Sequence, residues 1–372
     1  MSKVSEPIRV AHIMGKMMSG GVESVVMNYY RHIDKTRVQF DFIIDEDSTI
    51  VPHEEIKRLG GRIHKVPPYQ KPVSYHKALV KLFRENNYRI VHSHINTLSI
   101  FPLFAAKRAG VPVRIAHSHS TAGKGETARN VLKYTLRPFS RIFPTHFCAC
   151  SEHAGRWLFG NKLYSRGNVT LVKNAIDLSK FMFDSQIRED VKTELSVKDK
   201  LVIGHVGRFM KQKNHSFLID IFEQVHLRNP DSVLLLVGEG ELEQEITEKV
   251  KRLGLDNCVK FLGVRNDVHR LLQAMDIFLL PSLYEGLGMV AIEAQAVGLK
   301  VVASNMVPKE AKITENFSYI SLSQPAEKWS KNILSPASND RKSGIKQVTD
   351  AGFEIGVEAK ILLLFYERET VS

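Results

Sequence analysis

Glu285 and Glu293 stand eight positions apart in "LYEGLGMVAIEAQAVGLKVVAS" (283–304), with Gly286-Leu287-Gly288-Met289 between them and an apolar run behind. Carboxylates so placed can do one of three things. They can cap a helix start, where the backbone dipole favours negative charge. They can exchange protons as a pair. They can accept hydrogen bonds from hydroxyls. The glycine-bearing turn helps to choose. It would leave the amides of Leu287, Gly288 and Met289 at a helix N-terminus, where phosphate binds well. A glycosidase pair flanks its substrate from two sides, whereas both glutamates here come from one strand–helix turn. The reading is hydroxyl binding on either side of a phosphate group.

Cations to match lie in "HVGRFMKQKNHSF" (205–217). Arg208 closes a strand-like run, and Lys213 follows five residues later at a helix entrance. A planar guanidinium fork and a mobile ammonium suit a diphosphate; Lys211 reads as the solvent-facing member. In "LLLVGEGELEQEI", Gly240 lets backbone approach a ligand closely. In "FLGVRNDVHRLL", backbone near Val264 can meet a flat base, and Asp267 is expected to cap a helix. In the first half, Gly20-Gly21 precede a helix, without the dinucleotide or P-loop spacing. Ribose, diphosphate and hexose in a row make a nucleotide sugar, a co-substrate rather than a resident cofactor. Asp45-Glu46-Asp47 forms an Asp-x-Asp that can hold a metal on a diphosphate. It follows an early strand, away from these cations, and with Arg208, Lys213 and helix amides a metal is not required.

The elements that position these residues are legible as pattern. Short apolar, β-branched runs alternate with helical stretches throughout. "IRVAHIM", "VQFDFIID", "RIHKV", "RIVHSH", "VRIAHSH", "HFCACS" and "NVTLVKN" are strands of the first half. "LVIGHVGR", "SVLLLVGEG", "CVKFLG", "DIFLLPS", "KVVAS" and "SYISL" are strands of the second. Continuous apolar strands between helices imply α/β architecture with parallel sheets covered on both faces. A chain of 372 residues, 43% hydrophobic, exceeds one ordinary core and suggests two domains. The expectation is two Rossmann-like, doubly wound domains, 1–175 and 176–355, facing across a cleft, with 356–372 as a final helix packing back on the first. Ligands of such sheets sit beyond the carboxyl ends of strands, where the residues above fall.

No apolar run approaches the ~20 residues of a spanning helix, and the first residues lack a signal-peptide pattern. Three cysteines make no disulfide framework; Cys148 and Cys150 are expected to pack. A cytoplasmic protein is expected. Residues 1–175 carry 27 Lys and Arg against 12 Asp and Glu, and the remainder 25 against 28, so the first half holds the whole excess of the +12 net charge. Lys124, Arg129, Lys133, Arg137 and Arg141 recur at near-helical spacing among Val131, Leu132, Tyr134, Leu136, Phe139, Ile142 and Phe143. That is the form of an interfacial amphipathic helix, equally readable as a solvated face over a buried stripe. At about 1 kcal/mol per cation near an anionic leaflet, five suffice for reversible attachment, placing the protein at the inner face of the plasma membrane. Zinc, helix-turn-helix and aromatic stacking motifs are missing, so nucleic acid is not an expected partner.

"CSEHAGRWLFG", "NAID", "GHVGRF", "GEGELE" and "YEGLGMVAIEAQAVGLKVVAS", with Arg208, Lys213 and the Glu285-x7-Glu293 pattern, resemble the retaining, nucleotide-sugar-dependent glycosyltransferases of family four. The likeness is greatest to capsule and exopolysaccharide enzymes and runs over nearly the whole chain. It implies the GT-B fold and transfer of a hexosyl unit, from a UDP-linked sugar, to a growing lipid-linked surface-polysaccharide acceptor. By this resemblance Arg208 and Lys213 bind the donor diphosphate, Glu285 sugar hydroxyls and Glu293 the ribose. Gly20-Gly21 lie near the donor phosphate. A first-domain histidine meets the reacting sugar; "AHSHS" offers two, and His119 is favoured over His117, with His94 in a similar position. "NAID" has Ala where many relatives have Gly. A sugar-nucleotide epimerase of the same architecture and a non-catalytic nucleotide-sugar- or membrane-binding subunit are the alternatives.

Overall fold

The computed structural model describes residues 6–18, 21–119, 127–336, 341 and 343–371, without the side chains of 127–130 and 371. Gly20 and Lys124, and the side chain of Arg129, therefore lie outside the described residues. The chain divides into two compact units, Met1–Ile176 with Gly352–Ser372, and Asp177–Ala351.

The first unit is built on a seven-stranded sheet ordered β3-β2-β1-β4-β5-β6-β7. Its strands are β1 (Ile8–Gly15), β2 (Val38–Asp45), β3 (Arg62–Val66), β4 (Ile90–Ser93), β5 (Val113–Ser118), β6 (His146–Ala149) and β7 (Val169–Leu171). Every pairing is parallel. Because strand side chains alternate, the two faces form separate cores. Val10, Phe40, Phe42, Ile90 and Ile115 pack with Val26, Met27 and Tyr30 of helix Gly21–His32. Ala11, Ile13, Ile43, Val91 and Ala116 pack with Leu79, Phe83, Leu103 and Leu158 on the other side.

The first of these cores is completed by the end of the chain. Helix Ile355–Val371 adds Ile355, Ala359, Leu362, Leu363, Phe365 and Tyr366. Arg37 and Glu367 pair at its exposed side.

The second unit holds a six-stranded sheet ordered β10-β9-β8-β11-β12-β13. Its strands are β8 (Leu201–Val206), β9 (Ser232–Val237), β10 (Val259–Phe261), β11 (Ile277–Leu280), β12 (Lys300–Ser304) and β13 (Phe317–Ile320). All are again parallel. Ile203, Leu234, Leu236, Leu279 and Val302 form one core with Leu218, Phe222, Ile246 and Trp329. Val202, Leu235, Phe278 and Val301, on the alternate positions, are equally buried. In both sheets the strand order reverses once, at β1/β4 and at β8/β11. A reversal opens a crevice at the carboxyl ends of the two strands concerned.

Two local expectations change. The described part of the basic segment, from 127 to 143, does not make one helix. Helix Thr127–Leu136 gives way to a 3-10 turn at Arg137–Arg141, because Pro138 cannot supply the helical N–H. Asp267 does occupy the position before helix Val268–Ala274 but makes no side-chain cap. Arg265 takes both its carboxylate oxygens at 2.7 Å, and a bidentate charged partner outcompetes neutral amides.

Leu363 is 2% exposed, so Leu363→Ala should cost about 2–5 kcal/mol. Hydrogen exchange under mild denaturant should show that loss in the amides of β1, β2 and β4; unchanged protection there would refute the role given to the final helix.

Candidate functional site

In the second unit, three turns meet where the strand order reverses. The turn after β8 runs from Gly207 to Asn214, the turn after β11 from Pro281 to Gly288, and the turn after β9 carries Gly238 and Gly240. Backbone and side-chain hydrogen bonds stitch the first two together. Leu283 N donates to Gln212 O at 2.8 Å. Gln212 Nε2 donates to Tyr284 O at 3.0 Å and Asn214 Nδ2 to Pro281 O at 3.1 Å. The β9 turn is locked to the β8 turn by Phe209 N to Glu239 O and Leu242 N to Phe209 O, both 3.0 Å. Gly238 has φ +132°, and a Cβ there would stand 2.3 Å from Gly207 O. No larger residue permits that approach.

Glu285 is the centre of the seam. Its side chain is 6% exposed, and Oε1 accepts from Lys213 Nζ at 2.6 Å and from Ser282 Oγ at 2.7 Å. Gln212 Nε2 reaches Oε2 at 3.3 Å. Arg208 is exposed, and among the described residues no side-chain acceptor holds its guanidinium. A paired, shielded lysine beside an open arginine is an arrangement that can receive an anion. Helix Met289–Ala296 begins from Gly288, whose φ of +78° turns the chain into it. Leu287 and Gly288 are buried and Met289 is half-buried.

Glu293 lies one turn into that helix. It is half-buried, no hydrogen bond engages its carboxyl among the described residues, and burial raises that carboxyl to about 7. Lys213, Glu285, Gln212, Asn214 and Ser282 are thus brought together by direct contacts. Val264 follows β10, an edge strand, and is 63% exposed; Gly240 is exposed at the end of β9. The contribution of Ser282 and Gln212 had no signal in the sequence beyond their nearness to Glu285 and Lys213.

In the first unit, the carboxyl ends of β1, β4 and β5 carry five histidines. His12 pairs in register with His92, and His94, His117 and His119 follow along the neighbouring strand ends. His94 bonds both ways, Nε2 to His12 Nδ1 and Nδ1 to His119 Nε2, each at 2.9 Å. His92 Nε2 meets His117 Nδ1 at 3.1 Å, and His92 Nδ1 meets the Tyr366 hydroxyl at 2.7 Å. Burial pushes His12 and His119 down to about 3 and depresses the other three. Burial thus favours the neutral imidazole in all five. His119 is fixed at its backbone by Asn96 Oδ1, 2.8 Å from its N–H. Both His117 and His119 therefore belong to one cluster, which the sequence reading treated as alternatives.

Gly21 opens helix Gly21–His32 after β1, and a Cβ there would meet nothing within 4 Å. Asp47, from the Asp-x-Asp motif, is paired with Lys16 at 2.7 Å. Among the described residues, the groups with metal-ligand spacing are two histidine triads, His12-His92-His94 and His94-His117-His119. Cys148 and Cys150 are buried. On the basic segment, Val131, Leu132, Tyr134, Phe139 and Ile142 are all exposed, by 42–68%. Arg141 is exposed, while Lys133 and Arg137 are half-buried, Arg137 lying over the Trp157 ring at 5.5 Å. The apolar residues do not form a buried stripe. No helix among the described residues is long and apolar enough to cross a membrane.

Comparison with known proteins places these units. Residues 19–180 match the family model described as Glycosyltransferase Family 4, and residues 186–343 match Glycosyl transferases group 1. The chain is 36% identical over 374 residues to the putative glycosyltransferase EpsF of Bacillus subtilis, covering 97% of each chain. It is 26% identical over 330 residues to the Escherichia coli UDP-Gal:alpha-D-GlcNAc-diphosphoundecaprenol alpha-1,3-galactosyltransferase, covering 85% of this chain and 84% of that one. Among solved structures, Anabaena Alr3699/HepE in complex with UDP superposes with a TM-score of 0.78 at 18% identity, over 97% of this chain and 100% of the other.

The Glu293 carboxyl gives a signed pH effect. Its folded value lies above the unfolded one, so the folded chain binds this proton more tightly, and stability falls as pH rises from about 4.5 to about 7. Glu293→Gln removes that slope. Melting temperatures should favour the variant more at about pH 8 than at about pH 5; an equal difference at both would refute the buried-acid assignment.

Proposed function

The chain belongs to the glycosyltransferases, with the GT-B fold, and from that premise we propose that it transfers a hexosyl unit from a UDP-linked sugar, with retention of configuration, to a growing lipid-linked saccharide in surface-polysaccharide synthesis. The observation that carries this reading is the seam in the second unit. Arg208, which no side-chain acceptor holds among the described residues, the Lys213–Glu285 pair and the Gly288-led helix start all sit at the reversal of strand order. The UDP of the Anabaena complex and the diphosphoundecaprenol acceptor in the Escherichia coli relative's name support the donor and acceptor classes.

In this reading Arg208 and Lys213 hold the donor diphosphate. Their charge meets the negative charge that grows on the leaving group, in a site whose dipoles are already oriented. The amides of Leu287, Gly288 and Met289 add to that field. Glu285 accepts from sugar hydroxyls and Glu293 from the ribose. Backbone at Gly240 and Val264 lies against the nucleotide, the latter beside the base. By the family resemblance, His119 is the first unit's candidate for contact with a sugar. The cations and amides carry the charge stabilisation, so metal is not required, and no resident cofactor takes part.

The acceptor's lipid explains the exposed apolar residues of 131–142. Beside Lys133, Arg137 and Arg141, they form a surface that inserts shallowly into an anionic leaflet. The protein then works peripherally at the inner face of the plasma membrane.

Three measurements test these assignments. Arg208→Ala removes a charge-assisted contact of ~1.5–3 kcal/mol, so kcat/KM should drop roughly tenfold or more. NMR of the wild-type product should show the donor's anomeric configuration kept; inversion, or near-normal turnover by the variant, would refute the mechanism. Separately, Phe139→Ser with Ile142→Ser should abolish co-sedimentation with phosphatidylglycerol vesicles while leaving transfer to a soluble acceptor intact. Undiminished sedimentation would remove the membrane assignment.

A further inference from the structure

The amino ends of the first sheet hold a second set of polar residues, at the opposite edge from the histidines. A cavity of about 760 Å³ opens there, its lining including Glu6, Arg9, Arg62, Asn87, Tyr88 and Arg89. Small-molecule sites usually span about 300–1,000 Å³. Strand alternation puts the cations on one side of the sheet. Ala11, Ile43 and Val91 face the core that holds Leu79 and Phe83 of helix Pro72–Glu85. Arg9, Asp41 and Arg89, two residues before each, leave the sheet on that same side, and Arg62 joins them by pairing in register with Asp41. The floor is closed. Asp41 is fully buried, and its carboxylate accepts from Arg9 Nη1, from the Tyr88 hydroxyl at 2.8 Å and from the Arg62 amide at 3.2 Å. Arg9 Nη2 donates to Gly60 O at 3.3 Å, so Arg9 is a structural member. Arg62 and Arg89 are exposed, and among the described residues no acceptor holds either guanidinium. Glu6, the one carboxylate among the lining residues, makes no ion pair among the described residues.

We propose that this cavity is an accessory site for a phosphate-bearing anion, gripped by the Arg62 and Arg89 guanidinia from two sides over the floor that Asp41 fixes. Arg62 belongs to β3 and Arg89 leads into β4. With β2 and β1 between them, their backbones stand three strand spacings apart, roughly 14 Å, so the two forks approach one ligand from opposite sides. A carboxylate offers both oxygens along one edge and suits one fork. A tetrahedral phosphate offers acceptor oxygens in several directions and can serve two. The Asn87 side-chain amide, which bonds nothing among the described residues, stands on the same rim. Its backbone is left-handed, φ +50°, which Asn tolerates better than most residues. The surrounding field has the same sign: Lys77, Lys81, Arg84 and Arg108 line the neighbouring groove against one carboxylate, Glu85. A soluble phosphate compound and a phospholipid headgroup share this chemistry. The site is independent of the transferase reading, since it lies in the first unit while Arg208 and Lys213 lie in the second.

Isothermal titration of the full chain with inorganic pyrophosphate tests this, in an Arg208→Ala background so that the donor seam does not contribute. Pyrophosphate should bind, and adding Arg62→Ala with Arg89→Ala should weaken it roughly tenfold or more. Arg62→Lys with Arg89→Lys, which keeps both charges but neither fork, should fall between. Both arginines are exposed, so the melting temperature without pyrophosphate should be the same in all three proteins. With pyrophosphate, the protein that keeps both arginines should gain most stability. Equal affinity in all three, or no heat of binding in Arg208→Ala alone at millimolar pyrophosphate, would overturn the proposal, whatever becomes of the donor seam. Phosphatidylglycerol vesicles added to the complex then name the source: release of pyrophosphate identifies a lipid headgroup, and retention a soluble ligand.

Discussion

Lys213 and Glu285 face each other at 2.6 Å, with 15% and 6% of their side chains exposed, and this pair organises the second unit's functional end. Two charges so shielded contribute little net stability, because desolvation offsets much of their attraction. Geometry is what they contribute. The lysine belongs to the turn after β8 and the glutamate to the turn after β11, strands adjacent in space but far apart in sequence. Removing either charge would leave the other buried and alone, so the two turns keep one register. Ser282 and Gln212 take further positions on the same carboxylate, which fixes its plane as well as its location.

Around this pair the backbone is brought unusually close. Gly238 packs against the carbonyl of Gly207 and Gly240 against that of Phe209, and hydrogen bonds from Phe209 and Leu242 close the seam. The first unit solves the corresponding problem by another route. Its strand ends carry imidazoles where apolar side chains would suffice for packing, and satisfies them largely with one another. One end of the molecule's chemistry is therefore charged and paired, the other neutral and hydrogen-bonded.

Much of the fold was legible in the sequence. All thirteen strands among the described residues were readable, because buried parallel strands are continuous β-branched runs bounded by turns, and the shared α/β architecture follows from that alternation. Arg208, Lys213, Glu285 and Gly288 could be placed in the turns that follow β8 and β11, because strand ends are readable as pattern. What escaped was contact across sequence distance. No spacing rule shows that Arg265 withdraws Asp267 from its helix, nor that His12 bonds His94. Pro138 was visible, yet the pull of near-helical spacing hid its break. The exposure of Val131 and Ile142 depends on what is absent from their neighbourhood, which local pattern does not encode.

The first unit is discontinuous: Met1–Ile176 is joined by Gly352–Ser372 only after Asp177–Ala351 has intervened. Domains generally fold in order of synthesis, amino-terminal first, but here that order is inverted. A ribosome-bound chain can finish its second sheet while the first still lacks the helix bearing Leu363 and Tyr366. The earliest-made half is the last to mature. Until that helix has been made, the hydrophobic face it covers is a natural client surface for chaperones, and a chain cut before Ile355 would leave that half without its covering helix.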